Sequence, residues 1–241
     1  MNPQYDFSGQ VTLVTGAAGD LGKAVSDAFL ASSATLVLAD NRVGRLAQLF
    51  PALAAQDAHL LAEGVDVTDP AQVEGLLQRA DARFGRIDIL VNCVGGYQGG
   101  KPLHETSHET FEAMMTLNAR SVFTMSRAVL PYMLTQQQGI IVNIAAAPAL
   151  KGGANNAAYG ASKTVVARLT ESMAEEYKQQ GIRVNAVLPW TIDTPQNRQA
   201  MPKADTSRWV TPEAIAQVIL FLASSGSEPV NGVLLPVFGR R

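Results

Sequence analysis

The feature that most constrains this chain is an alternation, repeated from one end to the other, of short β-rich apolar runs with longer segments whose apolar residues recur every three or four positions. A strand-like run, a turn and a helical run make one βα unit, and successive βα units lay parallel strands side by side with helices across the sheet faces. The first unit is Gln10-Val-Thr-Leu-Val-Thr-Gly16, followed by Leu21, Ala24, Val25, Ala28 and Phe29 at helical spacing. Further strands are predicted over 34–40, 59–67, 87–94, 139–145, 182–188 and 232–237. Helices are predicted over about 43–54, 70–84, 156–179 and 211–224, with two more filling 107–136. The chain therefore reads as α/β, a doubly wound parallel sheet in three α/β/α layers, with residues 1–241 forming a single domain. One stretch, about 189–210, is richer in proline and polar residues than its flanks and is expected to be an irregular substrate loop.

Composition narrows the function classes. With 47% hydrophobic and 17% charged residues the chain can bury a substantial core. Its formal charge is -2, from 19 Lys plus Arg against 21 Asp plus Glu, and no basic stretch is long enough to track phosphates, so nucleic acid is not an expected partner. The sole cysteine, Cys93, cannot form an internal disulfide, and the opening MNPQYDFSGQ lacks the basic and apolar regions of a signal peptide, which together point to a cytoplasmic setting. No apolar run approaches the roughly 18 to 20 residues that span a bilayer, so no membrane partner is expected. No metal site is expected either; the anticipated partner is a small-molecule substrate.

Three local patterns carry chemistry. The turn Thr15-Gly-Ala-Ala-Gly-Asp-Leu-Gly22 joins the first strand to the first helix, where backbone N–H groups of Gly16, Gly19, Asp20, Leu21 and Gly22 can meet a pyrophosphate. Alone, such a turn is also compatible with a tight strand-to-helix connection. Asp40 ends the second strand 18 residues after Gly22, where a carboxylate can accept ribose hydroxyls and repel a 2′-phosphate. That favours NAD(H) over NADP(H), while the neighbouring Arg42 keeps NADP(H) open. Tyr159 and Lys163, four apart on a predicted helix, share one face. An ammonium near a phenol is expected to lower the phenol's pKa toward working pH, as a general acid or base requires.

The Gly-rich turn, Asp40, Asp66-Val67, Asn92, Asn118, the Tyr159/Lys163 pair and the run Pro189 to Thr194, all in this order, make the chain resemble the short-chain dehydrogenase/reductase family end to end. The resemblance implies a Rossmann-type fold and an NAD(P)-dependent oxidoreductase. It implies that Asp66 and Val67 flank the adenine, that Asn92 steadies the cofactor strand, and that Asn118 carries a water in a proton relay. Lys163 would also hold the nicotinamide ribose, and Pro189, Ile192 and Thr194 would contact the cofactor, Thr194 at the carboxamide. It implies a homotetramer or dimer as well; the apolar spacing of Val166, Leu169, Met173 and Tyr177 is the stripe expected to pair across a two-fold axis.

Two departures from the family pattern shape the substrate expectation. The glycines are spaced Gly-x-x-Gly-x-x-Gly, with Asp20 where the usual pattern has glycine. The family's catalytic serine, thirteen residues before the tyrosine, falls on Ala146, with Ala145 and Ala147 beside it. A serine there donates a hydrogen bond to a substrate carbonyl, and losing such a donor costs orders of magnitude in rate. The quinonoid dihydropteridine reductase branch also has alanine there, and the chain is similar to that branch in Cys93-Val-Gly-Gly-Tyr-Gln-Gly-Gly100 and in the run from Val187 to Trp209. By that resemblance Tyr97 lies against the pterin ring, with Ala146 and Trp190 lining the site. The helix around Asn118 is closer to the alcohol-dehydrogenating members. Three readings follow: reduction of a quinonoid dihydropteridine or similar conjugated ring, a carbonyl or alcohol oxidoreductase with an altered site, and a catalytically silent dinucleotide-binding protein.

Overall fold

The computed structural model describes residues 5–239; residues 1–4 and 240–241, the two ends of the expected domain, lie outside the described residues. Seven strands form one sheet in the order β3-β2-β1-β4-β5-β6-β7, every neighbouring pair parallel. In chain order the elements are β1 (Val11–Thr15), α1 (Asp20–Ala31), β2 (Thr35–Asp40), α2 (Arg45–Leu49), α3 (Pro51–Ala54), β3 (Leu60–Glu63), α4 (Pro70–Phe84) and β4 (Ile89–Asn92). There follow α5 (His108–Met114), α6 (Ser121–Gln136), β5 (Gly139–Ile144), α7 (Ala157–Tyr177), β6 (Ile182–Pro189), α8 (Pro195–Ala200), α9 (Pro212–Ala223) and β7 (Leu234–Val237). The doubly wound α/β expectation holds. The strands are nearly continuous apolar runs because helices cover both faces.

Phe29 of α1, Leu46 of α2 and Ile215 and Ile219 of α9 pack with Phe7 on one face. On the other face Leu76 and Leu77 of α4, Met125 and Val129 of α6 and Met173 of α7 fill the opposite layer. The stripe expected to form a subunit interface belongs to this interior: Val166 is fully buried, Met173 is buried, and Leu169 and Tyr177 pack half-buried against the core. The stripe expectation is therefore corrected, since a helix lying on a sheet needs its apolar face for its own subunit.

Three local expectations also change. The helix expected over 43–54 is two short helices broken at Phe50 and Pro51, where proline cannot donate to the preceding turn. The two helices expected over 107–136 form one continuous helical run, α5 passing through a π-helical turn at Met115–Arg120 into α6. The stretch 189–210 is not irregular: Ile192 pairs with Val210, α8 follows, and a 3-10 turn spans Thr206–Arg208.

Order reversal occurs between β1 and β4, which lie side by side while their following helices cover opposite faces. In sheets of this type ligands bind beyond the C-terminal ends of the strands at that point. Thr15 and Asn92 close those two strands, and the Thr15 hydroxyl oxygen accepts the Cys93 N–H at 3.1 Å, joining the two strand ends.

Candidate active site

At the exit of β1 the chain turns so tightly that glycine is required. Gly16 has φ +63°, and a Cβ on Gly22 would sit 2.1 Å from the Gly16 carbonyl oxygen. α1 starts immediately after, with Gly19 at its N-cap and no side chain bonded to its first amides. Those amides and the positive end of the helix dipole make an anion seat. Beside it a cavity of about 430 Å³ runs between Asp20 and Ala24 of α1, Thr194 and Arg198 of the loop region, and Thr211 before α9.

Asp40, at the end of β2, is buried and accepts the Ala18 N–H at 3.1 Å. Arg42 donates to it three times, from its backbone N–H at 3.0 Å, from Nε at 2.8 Å and from a terminal guanidinium nitrogen at 3.1 Å. Burial pushes the carboxyl up, but the hydrogen bonds from Arg42 and Ala18 outweigh it and hold Asp40 below the usual carboxylate range. Asp66 is exposed and its carboxylate accepts the N–H and hydroxyl of Thr68, while Val67 is buried beside it. Asn92 is buried, donating to Asn143 Oδ1 at 2.9 Å, and its own Oδ1 has no partner among the described residues. A buried unpaired acceptor is rare in a folded interior and marks a place where a ligand donor can be received.

The exits of β4 and β5 bring the remaining residues together. Lys163 of α7 is buried and donates from Nζ to the Ile144 carbonyl at 2.8 Å. A Cβ on Gly95 would be 3.1 Å from that Nζ and 2.9 Å from Asn118 Oδ1, so glycine at 95 makes room for the ammonium. Asn118 sits in the π-helical turn. Its Nδ2 donates to the Gly96 carbonyl at 3.1 Å and to Ser162 Oγ at 3.1 Å, and its Oδ1 accepts the Gly96 N–H at 3.0 Å. Both amide hydrogens of Asn118 are committed, so the carboxamide ties α7 to the segment after β4. A π-turn at a functional site is common, because the extra residue re-aims side chains that an α-helix would leave pointing elsewhere.

Tyr159 is half-buried, and burial followed by the nearby Tyr97 phenol pushes its pKa up to about 12. The expectation that Lys163 lowers it is corrected. The ammonium is directed to Ile144, and burial pulls the Lys163 pKa down to about 8. A phenol so held stays protonated at working pH and gives its proton up less readily than a free tyrosine. The Tyr97 ring stands edge-on to Tyr159 with centroids 5.0 Å apart. Ala145, Ala146 and Ala147 are all buried at the exit of β5 and bring no hydroxyl to that position.

The loop region is braced rather than loose. Pro189 ends β6 opposite Val237, Thr194 caps α8 by accepting the Asn197 N–H at 3.2 Å, and Asp193 takes two hydrogen bonds from Arg198 at 2.6 and 2.8 Å. The Asn197 amide also holds the Ile192 carbonyl at 2.8 Å. Trp190 is 55% exposed, with its ring edge-on to Phe238 at 5.9 Å. Sequence reading missed Ser162, Asn143 and Asn156. Ser162 lies inside the Tyr159-to-Lys163 spacing and was there to be found; the other two become visible only through partners distant in the chain. Among the described residues no group of three or more His, Cys, Asp or Glu is arranged to hold a metal, and no helix is long and apolar enough to cross a membrane.

Residues 10–205 match the family described as short chain dehydrogenase. The chain is 33% identical over 241 residues to the 3-oxoacyl-[acyl-carrier-protein] reductase of Thermotoga maritima, covering 97% of this chain and 98% of that one. It is 32% identical over 256 residues to levodione reductase of Leifsonia aquatica, covering 99% and 96%. Among solved structures, NAD+-bound xylitol dehydrogenase aligns with a TM-score of 0.86 at 30% identity, covering 97% of this chain and 99% of that one.

Proposed function

The chain belongs to the short chain dehydrogenase family, and from that premise we propose that it uses NAD(H), in preference to NADP(H), to reduce a quinonoid dihydropteridine or similar conjugated ring. The residues fit a dinucleotide on three counts. The Gly16–Gly22 turn has no space for a Cβ at Gly22 and little at Gly16 and Gly19, the first amides of α1 carry no side-chain cap, and the Asn92 Oδ1 is a buried acceptor without a partner among the described residues. When bound, the nicotinamide supplies the hydride. The chain's own residues do the rest. The α1 amides hold the pyrophosphate, Asp40 takes the adenosine ribose hydroxyls, and Asp66 and Val67 border the adenine. Lys163, whose single described partner is Ile144, has hydrogens to give to the nicotinamide ribose. Pro189, Ile192 and Thr194 would line the nicotinamide end, and the Thr194 hydroxyl, whose oxygen accepts the Asn197 N–H, would have its hydrogen to give to the carboxamide.

The preference for NAD(H) follows from Asp40. A 2′-phosphate would have to approach a buried carboxylate and pull Arg42 away from two hydrogen bonds. Tyr159 donates the proton it holds at working pH; its raised pKa makes it a weaker acid than free tyrosine, so the driving force lies in the basicity of the ring that has taken the hydride. The single observation that carries the substrate class is the buried Ala145–Ala147 run, which offers no hydroxyl to a carbonyl oxygen. A conjugated ring gains aromatic stabilisation on reduction and does not concentrate charge on one oxygen, so it needs that donor least. Tyr97 supplies an aromatic wall beside Tyr159, and Trp190, 55% exposed beside Phe238, is assigned to the substrate by the resemblance alone.

A carbonyl or alcohol substrate is the second reading, favoured by relatives named for 3-oxoacyl and levodione reduction. A panel of NADH-oxidation assays with a quinonoid dihydropterin, small quinones and aliphatic ketones separates the two. The ring substrates are expected to exceed aliphatic ketones at least ~10-fold in kcat/KM. The reverse order establishes the carbonyl reading, and NADH binding without any turnover establishes a silent binding protein. The same preparation is expected to run as a dimer or tetramer rather than at the monomer mass of 25.6 kDa. Its assembly would use exposed apolar residues such as Phe123 on α6, which is 53% exposed, and not the buried stripe on α7.

A further inference from the structure

Lys163, the residue expected to act on the Tyr159 phenol, directs its ammonium to Ile144, and the alanines at the exit of β5 offer that phenol no hydroxyl. What the Tyr159 ring does meet is Tyr97, edge-on with centroids 5.0 Å apart. Tyr97 is 62% exposed, yet it is pinned at both ends. Its backbone is anchored by the residue before it: Asn118 accepts the Gly96 N–H at 3.0 Å and donates to the Gly96 carbonyl at 3.1 Å. Its hydroxyl donates to Asn156 Oδ1 at 2.9 Å, and the Gly100 N–H ties the same segment to the Asn155 carbonyl at 2.8 Å. Asn156 is the N-cap residue of α7, the helix that carries Tyr159, and its carbonyl accepts the Gly160 N–H at 2.7 Å. Beyond Tyr159, Asn118 donates to Ser162 Oγ at 3.1 Å, and Ser162 donates to the Tyr159 carbonyl at 2.8 Å. The first turn of α7 is thus tied to the segment after β4 on both sides of Tyr159, and Tyr97 is the member of that clamp whose ring lies against the phenol. Gly99 makes room for it: a Cβ there would stand 2.7 Å from Asn156 Oδ1 and 2.7 Å from the Tyr97 hydroxyl. Both atoms end flexible side chains, so an alanine at 99 would part the pair at little cost to the backbone.

We propose that Tyr97 is a positioning residue for the proton donor: pinned at Gly96 and at Asn156, its ring sets the angle at which the Tyr159 phenol faces the substrate. This rests on the reading of Tyr159 as donor and holds alike for a conjugated ring and for a carbonyl. Tyr97 gives and takes no proton or electron in the step. Fixing an exposed side chain costs rotamer freedom that a ring serving as lining alone could keep. The two roles differ in what they cost when lost. Misplacing a reacting group by about 1 Å lowers the rate by up to ~10²-fold. Losing a lining ring removes binding common to substrate and transition state, which raises KM and spares kcat. Tyr159 has much to lose from a poor angle, because burial and then the Tyr97 phenol already make it a weaker acid than free tyrosine.

The test uses NADH with whichever of quinonoid 6,6-dimethyldihydropterin, menadione and butanone the wild type reduces fastest. Tyr97→Leu removes ring and bond together and is expected to lose ~30-fold in kcat, with KM and NADH affinity within ~2-fold of wild type. Tyr97→Phe keeps the ring and Gly99→Ala keeps both side chains; each breaks the Asn156 bond and is expected to lose ~5-fold in kcat, with no further loss when the two are combined. Asn156→Leu should lose as much, whereas Asn156→Asp, which keeps an acceptor oxygen for the Tyr97 hydroxyl, should stay near wild type. In a Tyr159→Phe background the single-turnover rate should no longer respond to Tyr97→Leu, because an absent donor cannot be misplaced. Thermal melting reports on folding, and Gly99→Ala decides should the Tyr97 variants fold poorly. A raised KM with kcat unchanged, or an equal loss of rate from Tyr97→Leu with and without the Tyr159 hydroxyl, would overturn the positioning role while leaving the oxidoreductase reading intact. A wild type that binds NADH yet reduces none of the three compounds overturns both.

Discussion

Asp40 and Asp88 are built alike. Each side chain is only 3% exposed, each is gripped by two nitrogens of an arginine two residues away, and each accepts one backbone N–H from a neighbouring segment: Ala18 for Asp40 and Val11 for Asp88. They stand at opposite ends of the sheet. Asp40 closes β2 at the C-terminal edge, where the β1 and β4 exits open toward the glycine turn. Asp88 precedes β4 at the N-terminal edge, and its backbone joins β1 and β5 through Val11 and Ile140. The same carboxylate, arginine and amide thus stand at the proposed cofactor end in one case and join strands at the other end in the second. In a parallel sheet it is the end, not the local motif, that decides whether a buried charge has a ligand to meet.

If that division is right, substitutions at the C-terminal edge change chemistry or binding and those at the N-terminal edge change only stability. The largest effect belongs to Tyr159→Phe, expected to lower kcat by ~10³ with NADH affinity and melting temperature nearly unchanged. Stopped-flow single turnover checks it, and near-full activity would remove Tyr159 from its role.

The aspartate pair itself comes next. Asp88→Ala strands the Val11 N–H and the Arg86 charge, and is expected to lose about 2–3 kcal/mol of stability in urea unfolding with no change in NADH affinity. Asp40→Ala should also destabilise, and in addition weaken NADH ~10-fold while sparing NADPH. Weakened NADH binding in Asp88→Ala would erase the distinction between the two ends.

Lys163→Met reverses the sign. Lys163 is a buried cation at the C-terminal edge with one carbonyl partner, so its removal should add about 1 kcal/mol of stability while abolishing turnover. Its pKa, about 8 in the fold against 10.5 outside it, means that the folded state resists protonation. The gain should therefore be full below pH 8 and shrink as pH rises toward the unfolded value. Differential scanning calorimetry of both proteins across that range measures it.

The smallest effect lies at the N-terminal edge again. His59 Nδ1 accepts the Leu36 N–H at 3.1 Å, which only the neutral ring can do, and burial with the Arg83 charge lowers its pKa below 6.5. The unfolded chain therefore takes up the proton first. Stability is full above pH 6.5 and falls as pH drops through the lowered folded value. Wild type should lose ~2 °C of melting temperature relative to His59→Asn on going from pH 7.5 to 5.5, with kcat unaffected by the substitution at either pH.

Much of this was legible from residue spacing because the informative contacts are short in sequence. The Gly16–Gly22 turn, Asp40 at a strand end and the Tyr159/Lys163 pair each declare themselves within a few residues, and the βα alternation carries the sheet. The misreadings have a common cause. Lys163 was expected to act on the residue four positions away, but its ammonium finds Ile144 on a strand instead. Val166, Leu169, Met173 and Tyr177 form an apolar stripe that the periodicity shows and whose partner it does not name. The bond between Tyr97 and Asn156 joins residues 59 positions apart, and neither turn nor periodicity encodes it. The order within 189–210 rests on capping and ion-pair bonds among polar residues, the same composition that an unstructured loop has.

The way that segment is closed at its base has a further consequence. Val210 accepts the Asp193 N–H at 2.8 Å and donates its own N–H to the Thr191 carbonyl at 3.0 Å, so the chain leaves the sheet and returns through one short seam. Everything between is held by its own bonds, Thr194 to Asn197, Asp193 to Arg198, Asp205 to Ser207. Mechanically it is an insert on a clasp: its interior can lengthen, shorten or exchange its lining without disturbing strand register. On the reading proposed above, a lineage carrying this fold can thus change what it reduces by replacing residues 195–208, keeping Thr194, the glycine turn and the Tyr159/Lys163 pair as they stand.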